Sequence, residues 1–214
     1  ARIQSKAMQT RPGVYEITLN GKSGSIQFMF DSKPAFPGGS FDPLKLTPED
    51  ILVMQREQVL DWMLSNFDTH SGQWIRLADG TLFETDKGQS FKFFGHDKLS
   101  WDYVPVTPLG SDRLTYSALW KAFVQGKDVD LHDPTLGELG EFIDRLTAIP
   151  DAEYDALLKG YAIGRGFGGK KLEDFLTAAV ARKNSLKSDF SEFYAKAVAE
   201  RAKSLGAKTA VTPP

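Results

Sequence analysis

The rhythm of hydrophobic and polar positions changes several times along this 214-residue chain, and each change predicts an element. Val14, Ile17 and Leu19 lead into the turn sequence Asn20-Gly-Lys-Ser-Gly24, and Ile26, Phe28 and Phe30 then alternate on one face. Alternation on both sides of an Asn-Gly turn predicts a β-hairpin. The stretch from Asp31, with prolines at 34, 37, 43 and 48 and glycines at 38 and 39, reads as a loop rather than a helix or strand. At Thr47 the spacing lengthens to three and four. Ile51, Met54, Val59, Trp62 and Met63 form one apolar stripe, which predicts a helix from Thr47 to about Asn66. Its start is well marked. Thr47 suits the N-cap, Pro48 suits the first helical position, and Glu49 and Asp50 suit the positive end of the helix dipole.

Two short strands follow, Gln73–Leu77 and Thr81–Asp86, joined by the turn Ala78-Asp-Gly80. Residues 87–109 carry no period. Helical spacing returns over Thr115–Gln125, Leu136–Ile149, Asp151–Tyr161 and Lys170–Leu205, the last holding Phe190, Phe193, Tyr194, Ala197 and Val198. The run Gly164-Arg-Gly-Phe-Gly-Gly169 separates two of these helices and reads as a linker, since no strand precedes it as a phosphate loop requires. Residues 206–214 read as a disordered tail. The pattern as a whole predicts an α+β chain of small β-hairpins followed by a helical region.

Composition narrows the function. The chain has no cysteine, so disulfides and thiolate zinc sites are excluded, and its three histidines lie far apart in sequence. The formal charge of −2 leaves no basic excess for nucleic acid or an anionic membrane. No apolar run approaches the ~20 residues a membrane span needs. The first ten residues lack the apolar core of a signal peptide. The expected location is cytoplasmic or virion-associated. Because the first residue is Ala, the chain is expected to be either processed or cut from something longer.

The candidate chemistry lies in Asn66–Phe91. An Asp-x-His (Asp68, His70) is followed by an amide, Gln73, and Asp86-Lys87-Gly88 comes thirteen residues after it. Phosphoryl transfer requires a carboxylate to orient or deprotonate the accepting hydroxyl. It also requires an amide oxygen and a second carboxylate to hold Mg²⁺ on the phosphates. Asp68, Gln73 and Asp86 are of those types, and the hairpin returns Asp86 toward Asp68. Gly88 would let the backbone turn sharply after the metal carboxylate. The alternative is that both aspartates only cap turns.

The apolar helix ending in Asn66, the Asp68-Thr-His70 run, Gln73, the hairpin and Asp86-Lys87-Gly88 together resemble the catalytic core of the phosphatidylinositol-kinase-like branch of the protein-kinase fold, which includes actin-fragmin-type and HipA-type kinases. The resemblance covers roughly residues 24–94. It implies a kinase-like helical C-lobe over residues 38–205 and a truncated or absent N-lobe, with residues 1–37 a hinge-type hairpin. It implies Asp68 and His70 as catalytic residues, Gln73 and Asp86 as the Mg²⁺ ligands, and Gln27, Phe28 and Met29 beside the adenine of ATP. Lys87 falls where the pattern is variable.

Thr69 departs from the usual Arg and Gln73 from the usual Asn. A strand lysine and a phosphate-covering loop are not evident before the hinge, Lys6 being a poor candidate. Another chain or a precursor segment is therefore expected to complete the N-lobe. A looser likeness to tailed-phage head proteins and polymorphic toxins implies the rival reading, an inert structural or binding module. Arg182, Lys183 and Lys187 read as a solvated helix face, and the aromatics of Lys92–Tyr103 as packing against the helices rather than stacking on bases.

Overall fold

The computed structural model describes the backbone of residues 15–19, 22–26, 31–103 and 114–211, and the side chains of residues 31–103 and 114–207. Strands β1 (Tyr15–Leu19) and β2 (Lys22–Ile26) pair antiparallel, Tyr15 opposite Ile26 and Leu19 opposite Lys22. The adenine-site candidates Gln27, Phe28 and Met29, and Lys6, lie outside the described residues.

Helix α1 (Pro48–Leu64) starts as its sequence predicts. The Thr47 hydroxyl accepts from the Asp50 amide while the Asp50 carboxylate accepts from the Thr47 amide, a capping box that satisfies two end donors. The helix ends on Ser65, which takes the left-handed conformation (φ 49°, ψ 44°) and donates its amide to the Asp61 and Trp62 carbonyls. Met54, Val59, Leu60 and Met63 are fully buried, each contributing about 1.5–3 kcal/mol of apolar burial. Glu57, Gln58 and Asp61 are buried as well, so α1 is surrounded by protein on most of its circumference.

A three-stranded antiparallel sheet of order β3-β4-β5 lies beside α1: β3 (Ser32–Pro34), β4 (Trp74–Leu77) and β5 (Leu82–Glu84). The loop expected from Asp31 thus contains a short strand, with Pro34 opposite Ile75. Proline is tolerated there because β3 is an edge. The same pairing joins residues 32–34 to the body that carries the candidate site, not to the first hairpin.

Four further helices complete the fold: α2 (Thr115–Val124), α3 (Gly137–Thr147), α4 (Asp151–Gly164) and α5 (Gly169–Val211). The last runs on through residues 206–211, where the sequence read as an unstructured tail. Helix α5 touches all four other helices and supplies Phe175, Leu176, Ala179, Leu186, Phe190, Phe193 and Ala197 to one core. The chain is therefore a mixed α+β fold built on a helical body.

Of the basic cluster on α5, Lys187 is exposed as expected and pairs with Asp144, but Arg182 and Lys183 are not on a solvated face. Lys183 is 1% exposed, and its ammonium donates to the Thr147 and Ile149 carbonyls at the end of α3. Arg182 lies between the rings of Trp62 and Phe94, 4.3 Å from each centroid, and forms a two-pronged ion pair with Asp97. The expected packing of the 92–103 aromatics is present: Phe94 meets Phe175 and Trp101 stacks on Phe193.

Candidate functional site

The segment from Asn66 to Gln73 leaves the end of α1 and is held from below. Asn66 is buried, its amide donating to the Asp61 carbonyl at 2.8 Å and its side-chain NH₂ to the Asp61 carboxylate at 2.9 Å. The Asn66 side-chain oxygen accepts from the Asp68 amide at 3.4 Å. One residue on, the Thr69 carbonyl accepts from the backbone amide (3.1 Å) and hydroxyl (2.7 Å) of Thr115, the first residue of α2. Thr115 uses an amide that a helix start leaves without an intrahelical partner. Trp74 Nε1 donates to the same hydroxyl at 3.2 Å. Thr69 is 1% exposed, so a small side chain fills the place where the resemblance expects Arg.

With Thr69 inward, Asp68 and His70 face outward. Their side chains are 28% and 43% exposed, with His70 Nε2 3.7 Å from Asp68 Oδ1. The Gln73 side-chain NH₂ lies 3.4 Å from Asp68 Oδ2 and 3.5 Å from His70 Nε2. His70 Nδ1 accepts the Gly72 amide at 3.0 Å, so a neutral ring carries its proton on Nε2, the nitrogen turned toward Asp68. The three residues picked from the sequence therefore form one half-exposed polar group.

The hairpin returns Asp86 to this end of the sheet, because the Thr85 amide and hydroxyl both donate to the Gln73 carbonyl, at 2.9 and 3.0 Å. Asp86 is exposed, and its Oδ1 accepts the Gly88 amide at 2.7 Å. The glycine has a different role from the one expected. Gly88 does not need a left-handed backbone; it needs space, since a Cβ there would lie 2.9 Å from Asp86 Oδ1. Gly72 repeats the device, its missing Cβ leaving room for the His70 ring 2.9 Å away.

Lys87 is where sequence reasoning fell short. The pattern gave it no role, yet its side chain is 8% exposed and its ammonium lies 3.0, 2.7 and 2.5 Å from Glu57, Asp61 and Glu84. Tyr116 closes the cluster, its hydroxyl 2.7 Å from Asp61 Oδ2 and 2.8 Å from Glu84 Oε2. A phenol has one proton, so both contacts are hydrogen bonds only if one carboxyl is itself protonated. Burial, and then the neighbouring Asp61 carboxylate, push the Glu84 carboxyl well above the ordinary range, which favours Glu84 as the carrier of that proton. Burial alone would lower the Lys87 ammonium, but Asp61, Glu57 and Glu84 more than offset it, so Lys87 is held charged. Burial followed by the same carboxylates raises the Tyr116 phenol. Two signals for this cluster existed in the sequence: Glu57 and Asp61 are one helical turn apart, and Glu84 shares an inward strand face with Leu82.

Two open spaces border the neighbouring residues Ser71 and Lys87, and neither is lined by Asp68, His70, Gln73 or Asp86. One of about 440 Å³ is lined by Ser40, Phe41, Ser71, Ser117 and Lys121, and one of about 580 Å³ lies between α4 and residues 87–91. No protein-family model matches the chain, and no curated protein or solved structure matches it either.

Proposed function

We propose that this chain is an ATP- and Mg²⁺-dependent phosphotransferase, acting on a protein or small-molecule hydroxyl through a kinase-like helical lobe. The observation that carries this reading is the convergence of Asp68, His70 and Gln73 within 3.4–3.7 Å, with Asp86 returned beside Gln73 by the hairpin. The donor set fits the metal. Mg²⁺ takes hard oxygen ligands and is commonly held by one or two protein oxygens plus substrate phosphates. The Asp86 carboxylate and Gln73 amide oxygen would hold it, and when bound it supplies positive charge against the transferring phosphate. Asp68 then takes the proton of the acceptor hydroxyl, and His70 fixes the Asp68 carboxylate from its protonated Nε2. The residues beside the adenine, Gln27, Phe28 and Met29, and a partner chain or precursor segment over them, belong to the same reading.

The rival reading is a catalytically inert kinase-like module, structural or binding, such as a virion component. It draws support from how the side chains are engaged. The Gln73 NH₂ is turned to Asp68, and Asp86 Oδ1 is occupied by Gly88.

Thermal unfolding with Mg²⁺–ATP separates the two. A ligand at one hundred times its Kd stabilises the folded state by about 2.7 kcal/mol. The phosphotransferase reading expects a raised Tm in the wild type, no rise in Asp86→Asn, and a rise largely kept in Asp68→Asn. No rise in the wild type, or equal rises in wild type and Asp86→Asn, would sink it.

A further inference from the structure

We propose that Lys87 is a positioning residue that sets the spacing between the two loops carrying Asp68 and Asp86; this deepens the phosphotransferase reading and rests on it. Both loops hang from one buried cluster. On one side the cluster reaches Asp68 through side chains: Lys87 binds the Asp61 carboxylate, Asp61 binds the Asn66 NH₂, and the Asn66 oxygen receives the Asp68 amide. On the other side it reaches Asp86 through the chain itself, since Lys87 is the next residue. Lys87 follows the end of β5, and its side chain turns inward to Glu57, Asp61 and Glu84 while Asp86 is exposed, so the inward hold on Lys87 anchors the chain directly beside Asp86. The Asp86–Gly88 turn then fixes the carboxylate direction.

The cluster also joins the three elements that frame the site. Glu57 and Asp61 come from α1, Glu84 from β5, and Tyr116 from α2, whose first residue grips the Thr69 carbonyl. A shift of Lys87 must therefore move the loop after β5 relative to the loop after α1. An apolar residue at position 87 would pack in the same space, but it would leave three buried carboxyls without a cation and nothing to tie α1 to β5 by charge. Breaking such a buried pairing is more damaging than never having built it, and the damage here falls between the two loops.

Local hydrogen exchange tests the proposal without assuming any activity. The reporters are the amides of Asn66, Thr85 and Phe91, which donate to Asp61, Gln73 and Leu64 around the cluster. In Lys87→Met all three are expected to exchange at least about tenfold faster, while Ile143 in α3 and Ala179 in α5 keep their protection. Asn66→Ala, which spares the Lys87 contacts and cuts only the branch to Asp68, should speed exchange of the Thr115 amide bonded to Thr69 and leave Thr85 and Phe91 unchanged. That asymmetry is not produced by a general loss of stability, and Asn66→Ala carries the test if Lys87→Met does not fold. Unchanged reporters in Lys87→Met, uniform loosening of both sides in Asn66→Ala, or no effect on either side there would overturn the proposal. Mn²⁺–ATP broadening of the Asp68 and Asp86 amide signals, present in the wild type and reduced in Lys87→Met, reads the functional consequence. Absence of broadening in the wild type would refute the phosphotransferase reading, leaving the exchange pattern to decide the spacing role alone.

Discussion

Replacing Glu84 by glutamine removes the carboxyl that burial favours as the carrier of the cluster's proton, and the effect should depend on pH in one direction only. Glu84 is fully buried, and its carboxyl is raised well above the ordinary 4.5 by burial first and by Asp61 next. The unfolded chain releases this proton near the ordinary value, and the folded chain keeps it to higher pH. Between the two values the folded state binds one proton more than the unfolded state, so stability falls as pH rises. The slope is about 1.4 kcal/mol per pH unit for one proton. The contribution is fully present below the ordinary glutamate value and is lost as pH rises through the raised one. Glutamine keeps the shape and an acceptor oxygen for Lys87 and Tyr116 but carries no titrating proton. Urea unfolding at pH 5, 6 and 7 of wild type and Glu84→Gln, without divalent cations, cancels in the difference the titration of groups outside the cluster. That difference should move in favour of the variant by up to about 1.4 kcal/mol at each step. A difference constant across the three pH values would refute the assignment of the proton to Glu84.

Two further changes test the frame around the site. Arg182→Met leaves the Asp97 carboxylate, fully buried, without its cation and should cost about 3–5 kcal/mol by chemical denaturation; adding Asp97→Asn should recover part of this, and strictly additive costs would show that the pair is not coupled. Ser65→Gly relieves a left-handed backbone at the end of α1 and removes a buried hydroxyl with no partner, so a gain of about 0.5–1 kcal/mol is expected, and a loss would mean that Ser65 has another role.

Local rules determined the parts of this protein whose physics is local. The start of α1 follows from Thr47, Pro48 and Asp50, because a capping box needs only four neighbouring residues. The β4–β5 hairpin follows from alternation around Ala78-Asp-Gly80, and with it the return of Asp86 toward Gln73. The grouping of Asp68, His70 and Gln73 was legible for the same reason, since all lie within six residues on one turn.

The tertiary structure decided what depends on distant partners. Strand β3 forms despite Pro34 because β4 offers it an edge, and no period within residues 31–46 signals that pairing. Arg182 and Lys183 look like surface residues until Asp97 and the end of α3 are brought against them. Lys87 is the sharpest case. In sequence it is an unremarked residue between Asp86 and Gly88, and its burial is made tolerable by the carboxylates of Glu57 and Asp61, 30 and 26 positions away, with the Glu84 carboxyl three positions away as a further partner. A buried charge is stable only where opposite charge is delivered to it, and that delivery is a property of the packed fold, not of any stretch of chain.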